Sequence, residues 1–157
     1  MPTVSPAPFL SVLRELVTCY QAFERYSAVH IQGLGLTPAQ FDVIATLGNT
    51  PGMTFRELGE RTLITKGTMT GVVDRLEAKN IVCRCDCPGD GRSTLVCLTR
   101  AGEKIFSEAF PSHVEHLRGA FDQLCNKDLL ALQGGLRALG TALAAAQQTS
   151  AQEKEKA

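Results

Sequence analysis

The stretch between Thr37 and Leu98 constrains this chain more than any other part of it, because it starts three helices in quick succession and then changes period. Thr37-Pro38-Ala39-Gln40 offers a capping threonine, a proline suited to the first helical position and a glutamine that can bond back to the cap. Thr54-Phe55-Arg56-Glu57 repeats the capping box with a glutamate. Thr65 is placed to cap a third helix, from about Lys66 to about Lys79. Met69, Val72, Val73 and Leu76 form its apolar stripe, and its other face carries Lys66, Thr68, Thr70, Gly71 and Arg75. From Ile81 the pattern becomes β-branched and then alternating, through Cys83, Cys85 and Cys87. Pro88-Gly89-Asp90-Gly91 is turn chemistry, and residues 93–98 read as a returning strand. Short helices followed by a hairpin are therefore predicted.

Long helices flank this segment. Leu10, Leu13, Val17 and Tyr20 lie on one face of a helix from about Pro8 to about Leu34, ended by Gly33 and Gly35. Thr99 is placed to cap a helix reaching about Leu124, with Pro111 a kink or break. A last helix starts near Asn126. Its Leu129, Leu132, Leu136, Leu139, Leu143 and Ala146 alternate spacings of three and four, the pattern of a helix–helix seam. Residues 3–8 and 149–157 read as loose ends. The fold class expected is mainly α with a small β-hairpin wing. A winged helix-turn-helix part at about 36–99 lies between dimerisation helices at about 8–34 and 100–147, in one domain spanning 1–157. A chain of 157 residues suits one such domain.

Zero net charge argues against nonspecific coating of polyanions. The charge is uneven, however: residues 54–100 hold eight basic and six acidic side chains, against eight and ten elsewhere. The two longest stretches without a charged residue, 26–41 and 138–152, are broken by glycine, proline and histidine or rich in alanine and glutamine. No membrane span is expected from them. Residues 1–9 lack the features of a secretory leader, so a cytoplasmic protein with reduced thiols is expected. No G-x-S-x-G, P-loop or H-E-x-x-H motif is present, so no enzyme, no cofactor and no resident metal are expected.

A helix fits the major groove of B-DNA, with its first turns at the base edges, and a hairpin beside it reaches the backbone or minor groove. Thr65, Lys66, Thr68 and Thr70 supply donors at the helix start, and Arg75 reaches a phosphate. Arg84, Asp90 and Arg92 belong to the wing, where Asp90 is placed to orient the Arg92 guanidinium for a minor groove. Arg and Lys spread over this segment disfavour a surface that binds only protein.

The residues that carry chemistry here also carry a likeness. Leu36-Thr37-Pro38-Ala39-Gln40-Phe41, the run from Thr65 to Glu77, Asp90-Gly91-Arg92-Ser93 and Leu98-Thr99-Arg100-Ala101-Gly102 together resemble the MarR family of bacterial transcription regulators, over roughly residues 10–147. The resemblance implies a homodimer with interlocked terminal helices, each wing domain reading half of a pseudo-palindrome in double-stranded DNA. It implies a repressor released by a small aromatic or phenolic effector, and it places the Asp-x-Arg wing pattern on Asp90 and Arg92. Many members carry a long basic residue after the position of Thr70, where this chain has Gly71. Base readout is therefore expected to lean on Lys66, Thr68 and the wing.

A dimer is expected independently, because the terminal helices exceed what one small winged domain can bury. Leu10, Leu13, Val17, Leu132, Leu136, Leu139 and Leu143 are its candidate interface. Two-fold symmetry would set the recognition helices about 34 Å apart. The candidate effector contacts are Phe23, Tyr26, His30, Phe41 and His113, which mix aromatic walls with polar tips. Phe23 and Phe41 also suit the core, and His30 suits a helix C-terminus.

The alternative function is a thiol-based redox or metal sensor acting through the wing. Cys83, Cys85 and Cys87 share one face of a strand. A register pairing residue 84 with Cys97 would turn Cys97 away from them, and one pairing 83 with 97 would put all four together. Cys19 lies on the first helix, but the reactive thiol of peroxide-sensing family members falls on Leu13. Cys19 is expected to be a buried structural thiol. Cys125, near the last helix junction, is a candidate for meeting its symmetry mate.

Overall fold

A computed structural model describes residues 7–87 and 90–155; the side chains of Lys66, of Cys87, of residues 90–93 and of those beyond 150 lie outside the description. The order is α1 (Pro8–Gly33), α2 (Pro38–Leu47), β1 (Met53–Thr54), α3 (Phe55–Arg61), α4 (Lys66–Ala78), β2 (Val82–Cys87), β3 (Asp90–Leu98), α5 (Arg100–Phe121) and α6 (Asn126–Glu155). The fold is mainly α with a small antiparallel sheet, as expected. The chain divides into two compact units, one up to Leu117 and one from Arg118.

Both capping boxes form. Thr37 Oγ1 accepts from the Gln40 amide while Gln40 Oε1 accepts from the Thr37 amide, and Thr54 and Glu57 repeat the exchange. Thr65 occupies the N-cap of α4 but makes no capping bond; its hydroxyl lies 3.0 Å from that of Thr68 instead. Asn80, at φ 55°, ends α4: the Asn80 amide donates to the Glu77 carbonyl and the Ile81 amide to that of Leu76. This Schellman closure buries Ile81 and Leu76 together and turns the chain directly into the wing.

The core of the first unit is apolar and closely shared. Val43, Ile44 and Leu47 of α2, Leu58 of α3, Met69, Val72, Val73 and Leu76 of α4, and Val82 and Val96 of the sheet are buried. Burying each such side chain stabilises by about 1.5–3 kcal/mol. The α4 stripe read from the sequence is the one observed.

Several expectations need correction. A strand of two residues, β1, was not foreseen; it pairs with β3, giving the sheet order β1-β3-β2. Two residues are too few to show a period. Asp90 and Gly91 belong to β3, not to the turn, through an irregularity opposite Cys87. Pro111 does not break α5, which runs through it to Phe121. The lost amide bond is tolerated because the neighbouring turns remain helical. α6 continues to Glu155 instead of fraying at Thr149. Within α6, Asn126–Ser150 is long and apolar enough by length and composition to cross a membrane, and none of it is buried. The uncharged stretches considered singly stopped at Arg137, which lowers the mean hydropathy too little to matter. Cys19 is exposed, not buried, because it lies on the outward face of α1. The expected loose segment at residues 3–8 falls mostly outside the described residues.

Candidate DNA interface and effector cleft

α3 and α4 are joined by a tight turn and followed by the β2–β3 hairpin, which is the arrangement of a winged helix-turn-helix. The buried stripe of α4 leaves Thr65, Thr68, Thr70 and Arg75 exposed on the opposite side. Gly71 is half-buried, and a Cβ there would stand 3.3 Å from Arg75 Nη2, so the glycine gives that arginine room. Lys66 starts α4, but its side chain lies outside the described residues, as do those of Asp90 and Arg92.

Arg84 has a different setting from the other candidates. Its guanidinium bonds Asp74 at 2.5 Å and also Glu77, both on α4, and lies 5.5 Å from the Phe55 ring centroid. These carboxylates push the Arg84 pKa up, Asp74 foremost. The charge of Arg84 is thus engaged in tying the wing to the recognition helix. Asp74 and Glu77 are four and seven residues beyond Thr70, the last of the exposed hydroxyls, and Arg84 neutralises them there. This pairing is not legible in the sequence, since the partners lie on different elements.

A cleft of about 850 Å³ opens beside α4. Its walls include Phe23, Ser27 and Ile31 of α1, Phe41 and Asp42 of α2, Phe110 and His113 of α5, and Thr65 and Thr68. Of the sequence candidates, Phe23, Phe41 and His113 line it, whereas Tyr26 and His30 do not. Those two stand behind it in a ring stack: Tyr26 lies 4.2 Å and His30 4.6 Å from His116, centroid to centroid. His113 Nδ1 lies 3.2 Å from His30 Nδ1, and His113 Nε2 lies 3.1 Å from Ser27 Oγ. His113 is buried, and burial first, then His30 and His116, lowers its pKa. A neutral imidazole beside a hydroxyl, with the Phe41 ring edge-on at 4.6 Å, suits an aromatic guest with a polar tip.

Sequence reading missed Tyr20, Ser27, Asp42 and Arg25 as cleft residues. Tyr20, Phe23, Ser27 and Ile31 follow one face of α1, so helical spacing from Phe23 would have found them. Asp42 accepts the Leu63 amide at 3.1 Å, and burial raises its pKa. Arg25 supplies a cation at the cleft for an acidic guest.

The wing register pairs Cys83 with Cys97 and Cys85 with Leu95. The thiols of Cys83, Cys85 and Cys97 therefore share a face, with Cys83 Sγ 3.6 Å from Cys85 Sγ. No group of three or more His, Cys, Asp or Glu arranged to hold a metal ion occurs among the described residues. Cys125 donates to Asp128 at 3.1 Å at the start of α6.

The helix pair, wing and exposed hydroxyl face define a winged helix-turn-helix DNA-binding protein. A family model described as MarR family matches residues 34–93. The chain is 29% identical to the HTH-type transcriptional regulator MhqR of Bacillus subtilis over 102 residues, 65% of this chain and 70% of that protein. It superposes on Sco3205 of Streptomyces coelicolor, a MarR family regulator solved in complex with DNA, with a TM-score of 0.76 and 26% identity, covering 85% of this chain and 86% of that one. It also superposes on NadR solved in complex with 4-hydroxyphenylacetate, with a TM-score of 0.72 and 25% identity, covering 88% and 97% of the two chains. The chain belongs to the MarR family, and it is a DNA-binding transcriptional regulator, not an enzyme.

Proposed function

We propose that this chain is a cytoplasmic homodimer that binds a pseudo-palindromic operator, represses transcription and is released by a small aromatic or phenolic ligand. One observation carries the ligand response. Thr65 and Thr68, at the start of the recognition helix, line the same cleft as Phe41 and His113. A guest in that cleft presses on the residues that meet DNA, so the two sites bias each other without a longer route.

In this reading Thr65, Lys66, Thr68 and Thr70 contact the major groove, Arg75 a phosphate, and Arg92, oriented by Asp90, the minor groove. Arg84 holds the wing against α4. Dimerisation uses the exposed apolar side chains of the terminal helices, including Leu10, Leu13 and Val17 of α1 and Leu132, Leu136 and Leu143 of α6, with the half-buried Leu139. The seven-residue spacing of the α6 leucines suits a helix partner. A bilayer span would bury Arg137 at a cost of about 2.5–3.5 kcal/mol, which favours the seam.

The test is footprinting on the chain's own upstream DNA, at fixed salt, with and without 4-hydroxyphenylacetate. An inverted repeat protected by the wild type and lost with ligand is expected. Arg92→Ala should weaken binding and reduce the logarithmic salt slope by about 0.9. Protection unchanged across millimolar aromatic acids and phenols would overturn the ligand response, and an unchanged slope would remove Arg92 from the interface.

A further inference from the structure

We propose that Cys83 and Cys97 form a reversible dithiol switch in the wing, which a small-molecule disulfide enters through Cys85. The effect on DNA rests on the DNA-binding function above; the chemistry does not.

The register fixes which thiols can join. The Thr99 amide donates to the Ile81 carbonyl at 3.0 Å, just outside the Val82–Leu98 pair. That bond makes Val82–Leu98 a non-hydrogen-bonded pair and, by alternation, Cys83–Cys97 a hydrogen-bonded one. Such partners have Cα atoms about 5.5 Å apart, inside the span a disulfide bridges. Cys83 and Cys85 lie two residues apart on one strand, roughly 6.6 Å, at the limit of that span. The final bridge is therefore across the strands, although Cys83 and Cys85 are in contact. Side chains at hydrogen-bonded pairs stand further apart than at the alternate sites, so the bridge is strained and readily reduced.

Access follows from the surroundings. Cys97 Sγ donates to the Pro51 carbonyl at 3.5 Å, and Gly52 packs so close that a Cβ there would stand 2.5 Å from that sulfur. Cys83 and Cys97 are half-buried and Cys85 is exposed. Burial, reinforced by Cys85, raises the Cys83 pKa and pushes that of Cys97 up to about 11, which keeps both protonated until an exchange partner arrives.

The steps balance as thiol–disulfide exchange. The Cys85 thiolate attacks RSSR, forming a mixed disulfide and releasing RS⁻, which takes up the proton. Cys83 attacks the Cys85 sulfur as its proton passes to the departing RS⁻, which leaves as the second RSH. Cys97 then attacks the Cys83 sulfur and frees Cys85. Two protein thiols lose two electrons, and RSSR leaves as two RSH. The bridge lies beside Arg84 and alters the wing that Arg84 holds to α4.

The full-length protein is equilibrated in oxidised and reduced glutathione at pH 8, alkylated and digested with trypsin. Cleavage after Lys79, Arg84, Arg92 and Arg100 places Cys83, Cys85 and Cys97 on three different peptides. The expected product links peptides 80–84 and 93–100. Cys83→Ser and Cys97→Ser should abolish it, and Cys85→Ser should reach the same extent about tenfold more slowly. The bridged protein should bind its upstream DNA about tenfold more weakly, within the usual range of coupling between sites, and recover with dithiothreitol. Absence of the linked peptide, or equal DNA affinity of reduced and bridged protein, would overturn the switch; an unslowed Cys85→Ser would overturn the entry route. If the reduced protein fails to bind DNA, the DNA-binding function falls, and the linked peptide still decides the chemistry.

Discussion

Arg84 of β2 holds Asp74 of α4 at 2.5 Å, joining the wing to the recognition helix through a pair ten residues apart in sequence. Glu77 takes the other side of the same guanidinium. Without Arg84 two carboxylates on α4 would be left unneutralised.

Arg84→Ala should therefore weaken operator binding, and Asp74→Asn with Glu77→Gln should recover part of the loss. The pair is partly exposed, so folding stability should change by only about 0.2–1 kcal/mol. Salt titration of DNA binding separates two roles. A strut leaves the slope unchanged, whereas a phosphate contact would lower it by about 0.9.

His113 predicts a pH dependence. Its folded pKa is lowered, by burial first, so the unfolded chain binds the proton more readily in the window below about 6.5. Stability from this group is fully present above that pH and is lost as pH falls toward the folded value. Thermal unfolding from pH 8 to pH 5 should show the decline, and His113→Asn should flatten it. An identical pH profile in the variant would remove His113 as its source.

Gly102 packs the start of α5 onto Ile81, in the turn between α4 and β2. A Cβ there would lie 2.1 Å from the Ile81 carbonyl oxygen. That oxygen also accepts from the Thr99 amide, so it has little freedom to move. Gly102→Ala should destabilise by about 1–3 kcal/mol in denaturant unfolding. Wild-type stability would show that the backbone yields there.

Leu136→Asp with Leu139→Asp should disrupt the dimer. Light scattering should report a monomer or loss of fold, and DNA binding should fall. A stable dimer that still binds DNA would exclude the α6 seam as the interface.

Sequence alone determined the elements whose signals are local. Caps, glycine stops and periodicity placed the starts of α1 to α4 and the ends of α1 and α4 within a residue or two, and the α4 stripe of Met69, Val72, Val73 and Leu76 told which face was left exposed. Those signals are set by neighbours three or four residues away, which the sequence displays. Only the tertiary structure decided the rest. The two-residue β1 exists because β3 offers it a pairing edge, and Pro111 stays helical because its neighbouring turns hold. Tyr26 and His30 fell behind the cleft and Ser27 into it, since the packing of α1 against α5 sets which side of each helix meets the cavity. Arg84 found its carboxylates, and Cys83 met Cys97, through a strand register that depends on long-range pairing. A one-residue slip would have sent every wing side chain to the opposite face, and nothing local to the wing forbids it.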